Sequence, residues 1–323
     1  MGCLMPELFG KAAIEARALR KTFDGVTALE RLNLAVLEGE VFALAGPEGA
    51  GKTTTIKILC GELPPSEGSA RVAGYDVVGE PEQARGRIGY VPARLSLHSD
   101  LSVDENLLFR AHEHGIAAET FAKRRERLLS LSRLGRFRSQ LARDLPSGMR
   151  QRLALACALV HTPDILLLDE PTAALDPVGR DEFWELLLEL AAPRAEKHLT
   201  ALLSTADMAE AERCRRVGMM YEGRLLACGT PWEIRRGVRL ELLEVVCKPL
   251  QQAGAVLRQR PQVRWVELSG NRLHIALARP DVEHEIRRAL QESGVQVRSL
   301  RRIEPTLEHA FLELVGRGPQ GSA

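Results

Sequence analysis

The sequence has no uninterrupted apolar run of about 18 residues, so no segment reads as a membrane-spanning helix. It has no Cys-x-x-Cys or metal-finger spacing. Its six cysteines (Cys3, Cys60, Cys157, Cys214, Cys228 and Cys247) are scattered, the pattern of free thiols in a reducing compartment. There is no surplus of one charge either: Lys plus Arg is 44 and Asp plus Glu is 43, a net charge of +1. That balance leaves no electrostatic footprint for a nucleic-acid partner. The basic run Lys123 to Arg127 is interrupted by Glu126 and reads as a solvated helix face. The N-terminus offers Gly2 but places Pro6 where a myristoylation signal needs Ser or Thr, and it lacks the apolar core of a signal peptide. These absences predict a cytoplasmic protein that meets a membrane only through a partner.

What is present is ordinary for a folded chain: 323 residues, 45% hydrophobic and 27% charged, long enough for two domains. Strand patterns fall at 13–18, 32–37 and 41–45, the last two joined as a hairpin through Glu38-Gly39-Glu40. A glycine-rich loop at 46–51 leads into a helix over 53–60, and a turn-rich stretch with Pro64, Pro65, Gly68 and Gly74 leads to a strand over 88–92. The periodicity from Ser102 to about Leu134 is helical, and 153–160 is a helix apolar nearly all round. Buried strands follow at 165–168 and 199–203, then a hairpin about Glu222-Gly223. From residue 237 the order is β-α-β-β-α-β, a ferredoxin-like pattern, closed by a helix over 305–315. His274, His284 and His309 there have no ligand spacing and read as surface or packing residues.

Gly46-Pro47-Glu48-Gly49-Ala50-Gly51-Lys52-Thr53 fits G-x-x-x-x-G-K-[ST] in full, between a buried strand and a helix. Such a loop turns successive backbone N–H groups toward phosphate oxygens, and the helix N-terminus adds its positive dipole. Lys52 reaches the β- and γ-phosphates, and the Thr53 hydroxyl is a Mg²⁺ ligand; Thr54 follows within the same turn. The apolar strand 165–168 ends in Asp169-Glu170, which supplies a metal-binding carboxylate (Asp169) and a group to orient or deprotonate water (Glu170).

With these motifs, Leu145 to Arg152, Asp169-Glu170-Pro171-Thr172, Ala174-Leu175-Asp176-Pro177, Glu222-Gly223-Arg224 and Pro305 to Phe311, the chain resembles the ATP-binding subunits of ABC transporters, in the drug-exporter (ABC-2 type) branch. The resemblance implies an α/β P-loop ATPase domain over 13–236, with a mixed core sheet, an antiparallel N-terminal β subdomain and a helical subdomain at about 94–160. It also implies a small α+β accessory domain over 237–317, flanked by tails at 1–12 and 318–323. The implied cofactors are ATP and Mg²⁺. The implied partners are a transmembrane permease and a second ATP-binding subunit, at the inner face of the cell membrane, with no nucleic acid. Phe23 matches the family's adenine-stacking aromatic, with a core phenylalanine as the alternative. Ser147, Gly148 and Met149 match the signature segment that meets the partner's ATP. Asp176 matches a residue that crosses the dimer and also suits a helix N-cap.

Three positions depart from the family pattern. Ala93 stands where a Gln contacts Mg²⁺ and water, Pro146 where the signature has Ser, and Ala206, after Thr205, where a His contacts the γ-phosphate. Pro146 offers neither hydroxyl nor N–H; Ser147, one position later, is a substitute. Losing one preorganised contact of this kind costs on the order of 100- to 1,000-fold in rate. The expectation is a site that binds ATP and hydrolyses it slowly, working beside a non-identical ATPase subunit. The alternative is a nucleotide-responsive regulatory module without a transport role.

Overall fold

Residues 11–192 and 199–316 are described by a computed structural model. The chain divides into two units, Met1–Pro231 and Trp232–Ala323, a few residues before the expected boundary at 236. Of the expected tails at 1–12 and 318–323, residues 1–10 and 318–323 lie outside the described residues, and Ala12 already belongs to the first strand.

Two kinds of strand build the first unit. β1 (Ala12–Phe23) and β2 (Val26–Leu37) alternate buried and open positions and pair antiparallel. β4 (Glu67–Val72) pairs with the other edge of β1, and β5 (Tyr75–Asp76) with β4, giving the order β2-β1-β4-β5. Thus the turn-rich stretch contains a strand, because Ala70 and Val72 bury between its turns. β3 (Val41–Ala45) differs in being buried at all five positions. A strand closed on both faces belongs inside a parallel sheet, so the expected hairpin between β2 and β3 does not form. Instead β3 enters a second sheet, where it lies parallel to β8 (Thr200–Thr205) and β9 (Arg216–Tyr221). Glu40 fixes the crossing: its carboxylate accepts from the Leu37 N–H at 2.7 Å and pairs with Arg216 at 3.0 Å. β7 (Ile165–Leu168) and β6 (Ile88–Val91) extend the parallel set, and β10 (Arg224–Gly229) closes it antiparallel through the expected hairpin, in the order β10-β9-β3-β8-β7-β6.

Helices α1 (Lys52–Leu59), α2 (Pro81–Arg85), α6 (Pro177–Leu190) and α7 (Met208–Ala211) connect these strands. The stretch from Ser102 forms two helices, α3 (Val103–Glu113) and α4 (Ala118–Leu131), separated at Gly115, whose φ of 61° no continuing helix allows. A Ser102–Glu105 capping box starts α3. Together with α5 (Ser147–Leu159) they bury their own cluster, including Val103, Leu107, Phe121, Leu129, Leu153 and Val160. No described helix is long and apolar enough to cross a membrane. Cys60, Cys157 and Cys214 are buried free thiols, whereas Cys228 is disulfide-bonded, against the expectation of free thiols throughout.

After α8 (Pro231–Gly237), the second unit runs β11 (Leu242–Lys248), α9 (Leu250–Arg258), β12 (Val263–Ser269), β13 (Arg272–Leu277), α10 (Glu283–Glu292), β14 (Gln296–Ile303) and α11 (Leu307–Gly316). Its sheet is antiparallel, ordered β12-β13-β11-β14, the ferredoxin-like arrangement. Leu243, Val245, Leu273 and Ile275 bury one face against Leu257, Ile286 and Leu290 of α9 and α10. Alternation sends Glu244 and His274 to the other face, where α11 lies.

Candidate nucleotide site

The parallel strands bring their C-terminal ends to one edge of the sheet, where open α/β sheets bind ligands. β3 delivers the loop 46–51, whose first N–H, on Gly46, donates to Thr205 O at 3.1 Å at the end of β8. Gly46 has no room for a side chain, because a Cβ there would run into the Met220 carbonyl. Gly51 caps α1 at φ 98°, packed on Ala28 O, a conformation and a clearance that favour glycine. Between them Pro47, Glu48 and Gly49 stay at least partly open and Ala50 is buried.

Lys52 is only 5% exposed yet keeps three partners. Its Nζ donates to Gly46 O at 2.6 Å and Pro47 O at 3.0 Å, and it pairs with Glu170 Oε1 at 3.0 Å. Thr53 Oγ1 donates to Asp169 Oδ1 at 3.0 Å, joining the first residues of α1 to the end of β7. Asp169 is 1% exposed. The following residue, Glu170, sits at φ 46°, a left-handed conformation that costs a non-glycine residue about 1–3 kcal/mol and aims the carboxylate at Lys52. Thr54 lies half-buried one residue further on.

One residue of this cluster carries no motif. Ser204, fully buried in β8, donates to Asp169 Oδ1 at 2.6 Å and accepts the Glu170 N–H at 2.8 Å. A single hydroxyl therefore orients the Asp169 carboxylate and the Glu170 backbone together. The signal in the sequence is a hydroxyl inside a buried apolar strand, where a polar atom needs a partner.

The other predicted residues lie around this edge. Phe23 ends β1 and is 42% exposed, with Lys21 Nζ 5.1 Å from its ring centroid, so it is not a core phenylalanine. Ala93 follows β6 and Ala206 follows β8, both exposed. Next to Ala206 the polar groups are already engaged: Thr205 Oγ1 donates to buried Glu210 at 2.9 Å, and the part-exposed Asp207 pairs with Arg180 at 3.0 Å. Pro146 is the N-cap residue of α5, Ser147 opens that helix in an exposed position, and Gly148 lies beside Gly179 of α6. Met149 packs on the helical cluster. Asp176 caps α6, accepting the Gly179 N–H at 2.6 Å, and is itself exposed.

A glycine-rich loop between a buried strand and a helix, a buried lysine, a hydroxyl and two carboxylates at a parallel-sheet edge define a P-loop nucleotide-binding domain. The ABC transporter family profile matches residues 29–173, and one described as "ATP-binding protein DrrA1-3-like, C-terminal domain" matches 229–315. The Nod factor export ATP-binding protein I of Ralstonia nicotianae is 35% identical over 97% of this chain and 96% of its own; its Cupriavidus metallidurans counterpart is 37% identical over 95% and 98%. The probable multidrug ABC transporter ATP-binding protein YbhF of Escherichia coli is 41% identical, but the chain spans 38% of its length. Among solved structures, an ATP binding subunit of an ABC transporter superposes with a TM-score of 0.63 at 32% identity, covering 70% of this chain and 92% of that one. A dimeric ATP-binding cassette bound to ADP and Pi gives 0.61 at 26% identity, covering 67% and 98%. The chain belongs to the ABC transporter ATP-binding proteins of the drug-exporter type.

Proposed function

We propose that this chain is the ATP-binding, energy-coupling subunit of an ABC exporter, acting with a transmembrane permease and a second, non-identical ATP-binding subunit at the inner face of the membrane. The observation that carries this reading is the connected set Lys52, Thr53, Asp169, Glu170 and Ser204 at one sheet edge. The residues fit a magnesium nucleotide. Thr53 and Asp169 present hard oxygen donors side by side, the donor type Mg²⁺ prefers. Bound Mg²⁺ neutralises charge on the phosphates.

In this reading the amides of 46–51 and the N-terminus of α1 hold the phosphates, and Phe23 stacks on the adenine. Lys52 exchanges its carbonyl partners and Glu170 for phosphate oxygens. Glu170, so released, takes a proton from the attacking water. Ser147, Gly148 and Met149 approach the nucleotide held by the partner subunit, and Asp176 sits at the same interface. Ala93, Pro146 and Ala206 remove three contacts to the γ-phosphate and the water, so this chain's own site turns over slowly while still holding ATP. The relatives named for multidrug and Nod factor export support the export role.

The test is to isolate the chain from membranes with its native partners and measure ATP hydrolysis with and without Glu170→Gln. A polytopic membrane partner, with most hydrolysis surviving the substitution, is the expected result. A soluble partner favours the regulatory module. Robust turnover by the purified homodimer that Glu170→Gln abolishes would sink the slow-site reading.

A further inference from the structure

The sheet of the second unit carries a polar row across its α11 face. Strand register places Glu267 of β12 opposite His274 of β13, His274 opposite Glu244 of β11, and Glu244 opposite Arg301 of β14. α11 brings His309 down onto this row. His274 Nδ1 and His309 Nε2 stand 2.9 Å apart, and His309 Nε2 lies 3.7 Å from Glu267 Oε2. One ligand atom from each of the three residues falls within 4.8 Å of the others. Bond lengths of about 2.0–2.2 Å in a tetrahedral site require ligand atoms about 3.3–3.5 Å apart, a separation these distances bracket.

We propose that Glu267, His274 and His309 form a binding site for a divalent transition-metal ion of the zinc type, fastening α11 to the sheet. The two-imidazole, one-carboxylate set suits zinc and leaves a fourth position for water. Groups of the kind that orient metal-bound histidines lie beside the outer nitrogens. His274 Nε2 faces Glu244 Oε2 at 3.7 Å, and that carboxylate is held by Arg272 at 2.8 Å and Arg301 at 2.7 Å. His309 Nδ1 lies 3.0 Å from Thr306 Oγ1. Glu267 accepts no side-chain hydrogen bond from the described residues, and it lines a cavity of about 660 Å³ with Trp265 and Glu313.

The protons balance. Without metal, the Thr306 N–H donates to His309 Nδ1 at 3.1 Å, so the His309 proton sits on Nε2 and points at His274 Nδ1. On binding, that proton passes through solvent to Nδ1 and is donated to Thr306 Oγ1, while His274 keeps its proton on Nε2. Two Nε2/Nδ1 lone pairs and one carboxylate oxygen then bind the ion with no net proton release, and one backbone hydrogen bond is exchanged for three metal bonds.

The test titrates the chelator-treated full chain with Zn²⁺ against a chromophoric competitor, and repeats it with Co²⁺ to read the tetrahedral absorption bands. One tight equivalent is expected, with affinity at least about 100-fold weaker in His274→Gln and Glu267→Gln, and with the thermal midpoint raised by Zn²⁺ in the wild-type chain only. Cys247→Ser should leave the affinity unchanged. Glu267→Gln decides if His274→Gln misfolds, because that carboxylate is partly open and makes no described hydrogen bond. Equal Zn²⁺ affinity in wild type and Glu267→Gln, or no stoichiometric binding, overturns the proposal.

Discussion

The ends of β3 and β7 and the ends of β6 and β8 lie on the same edge of the same sheet, yet they are furnished differently. β3 and β7 lead into Lys52, Thr53, Asp169 and Glu170, which bond to one another at 3.0 Å. β6 and β8 lead into Ala93 and Ala206, exposed methyl groups. β8 is not short of polar atoms, however. Ser204 and Thr205 spend theirs inward, on Asp169, the Glu170 N–H and Glu210. The difference separates two tasks that one edge can perform: holding a charged ligand, and detecting where its terminal group lies. Under the proposed function this chain keeps the first and has weakened the second.

The largest effect should come from the holding half. Lys52→Ala removes the only cation described as bonding within the Asp169–Glu170 cluster and leaves Glu170 without its ion-pair partner. Loss of a preorganised charge of this kind is worth about 100- to 1,000-fold, so equilibrium ATP binding should weaken by that factor. If ATP binds the variant as tightly as the wild type, the loop is not the phosphate site.

Ser204→Ala probes the link between the two halves and should have an intermediate effect. It strips one donor from Asp169 Oδ1 and the acceptor from the Glu170 N–H, both inside the protein. Unpaired groups of this kind cost about 1–3 kcal/mol, visible as a lower denaturation midpoint. Because Asp169 is then oriented by Thr53 alone, the Mg²⁺ concentration needed for half-maximal ATP binding should rise about 10- to 100-fold. Ser204→Thr keeps the hydroxyl and should restore it. A stability loss with no change in Mg²⁺ dependence would make Ser204 a packing residue only.

How much of this could be read from the residues follows from the same geometry. The holding half was legible because its parts arrive in short runs, Gly46 to Thr53 and Asp169-Glu170, each at the end of a buried strand. Strand-to-sheet assignment was not: the spacing between Leu37 and Val41 suits a hairpin, and only the two-sided burial of β3 removes it to another sheet. The strand inside 64–74 was hidden by its prolines and glycines. Ser204 was missed because its role depends on β8 lying beside β7. His274 and His309, 35 residues apart, meet only through the register of β13 and the packing of α11. Local chemistry is written locally; a site assembled across strands is not.

The smallest effect, and the sharpest on the comparison, should come from putting a donor back. Ala206 is exposed at the end of β8, flanked by Thr205, whose hydroxyl is already engaged, and by Asp207, which caps α7 through Ala209 N at 2.8 Å. Both anchors are independent of the residue 206 side chain, so Ala206→His should fold with a stability change within about 0.5 kcal/mol, as for a surface substitution. If the missing γ-phosphate contact limits this chain's own site, the imidazole should raise its hydrolysis rate about tenfold. That is less than one full contact is worth, because Ala93 and Pro146 remain. The rise should vanish when Glu170→Gln is added, since the gain requires the base of the same site. An unchanged rate in a folded Ala206→His chain, measured in the native complex, would mean that the end of β8 does not limit turnover and that the contrast between the two halves of the edge has no catalytic consequence.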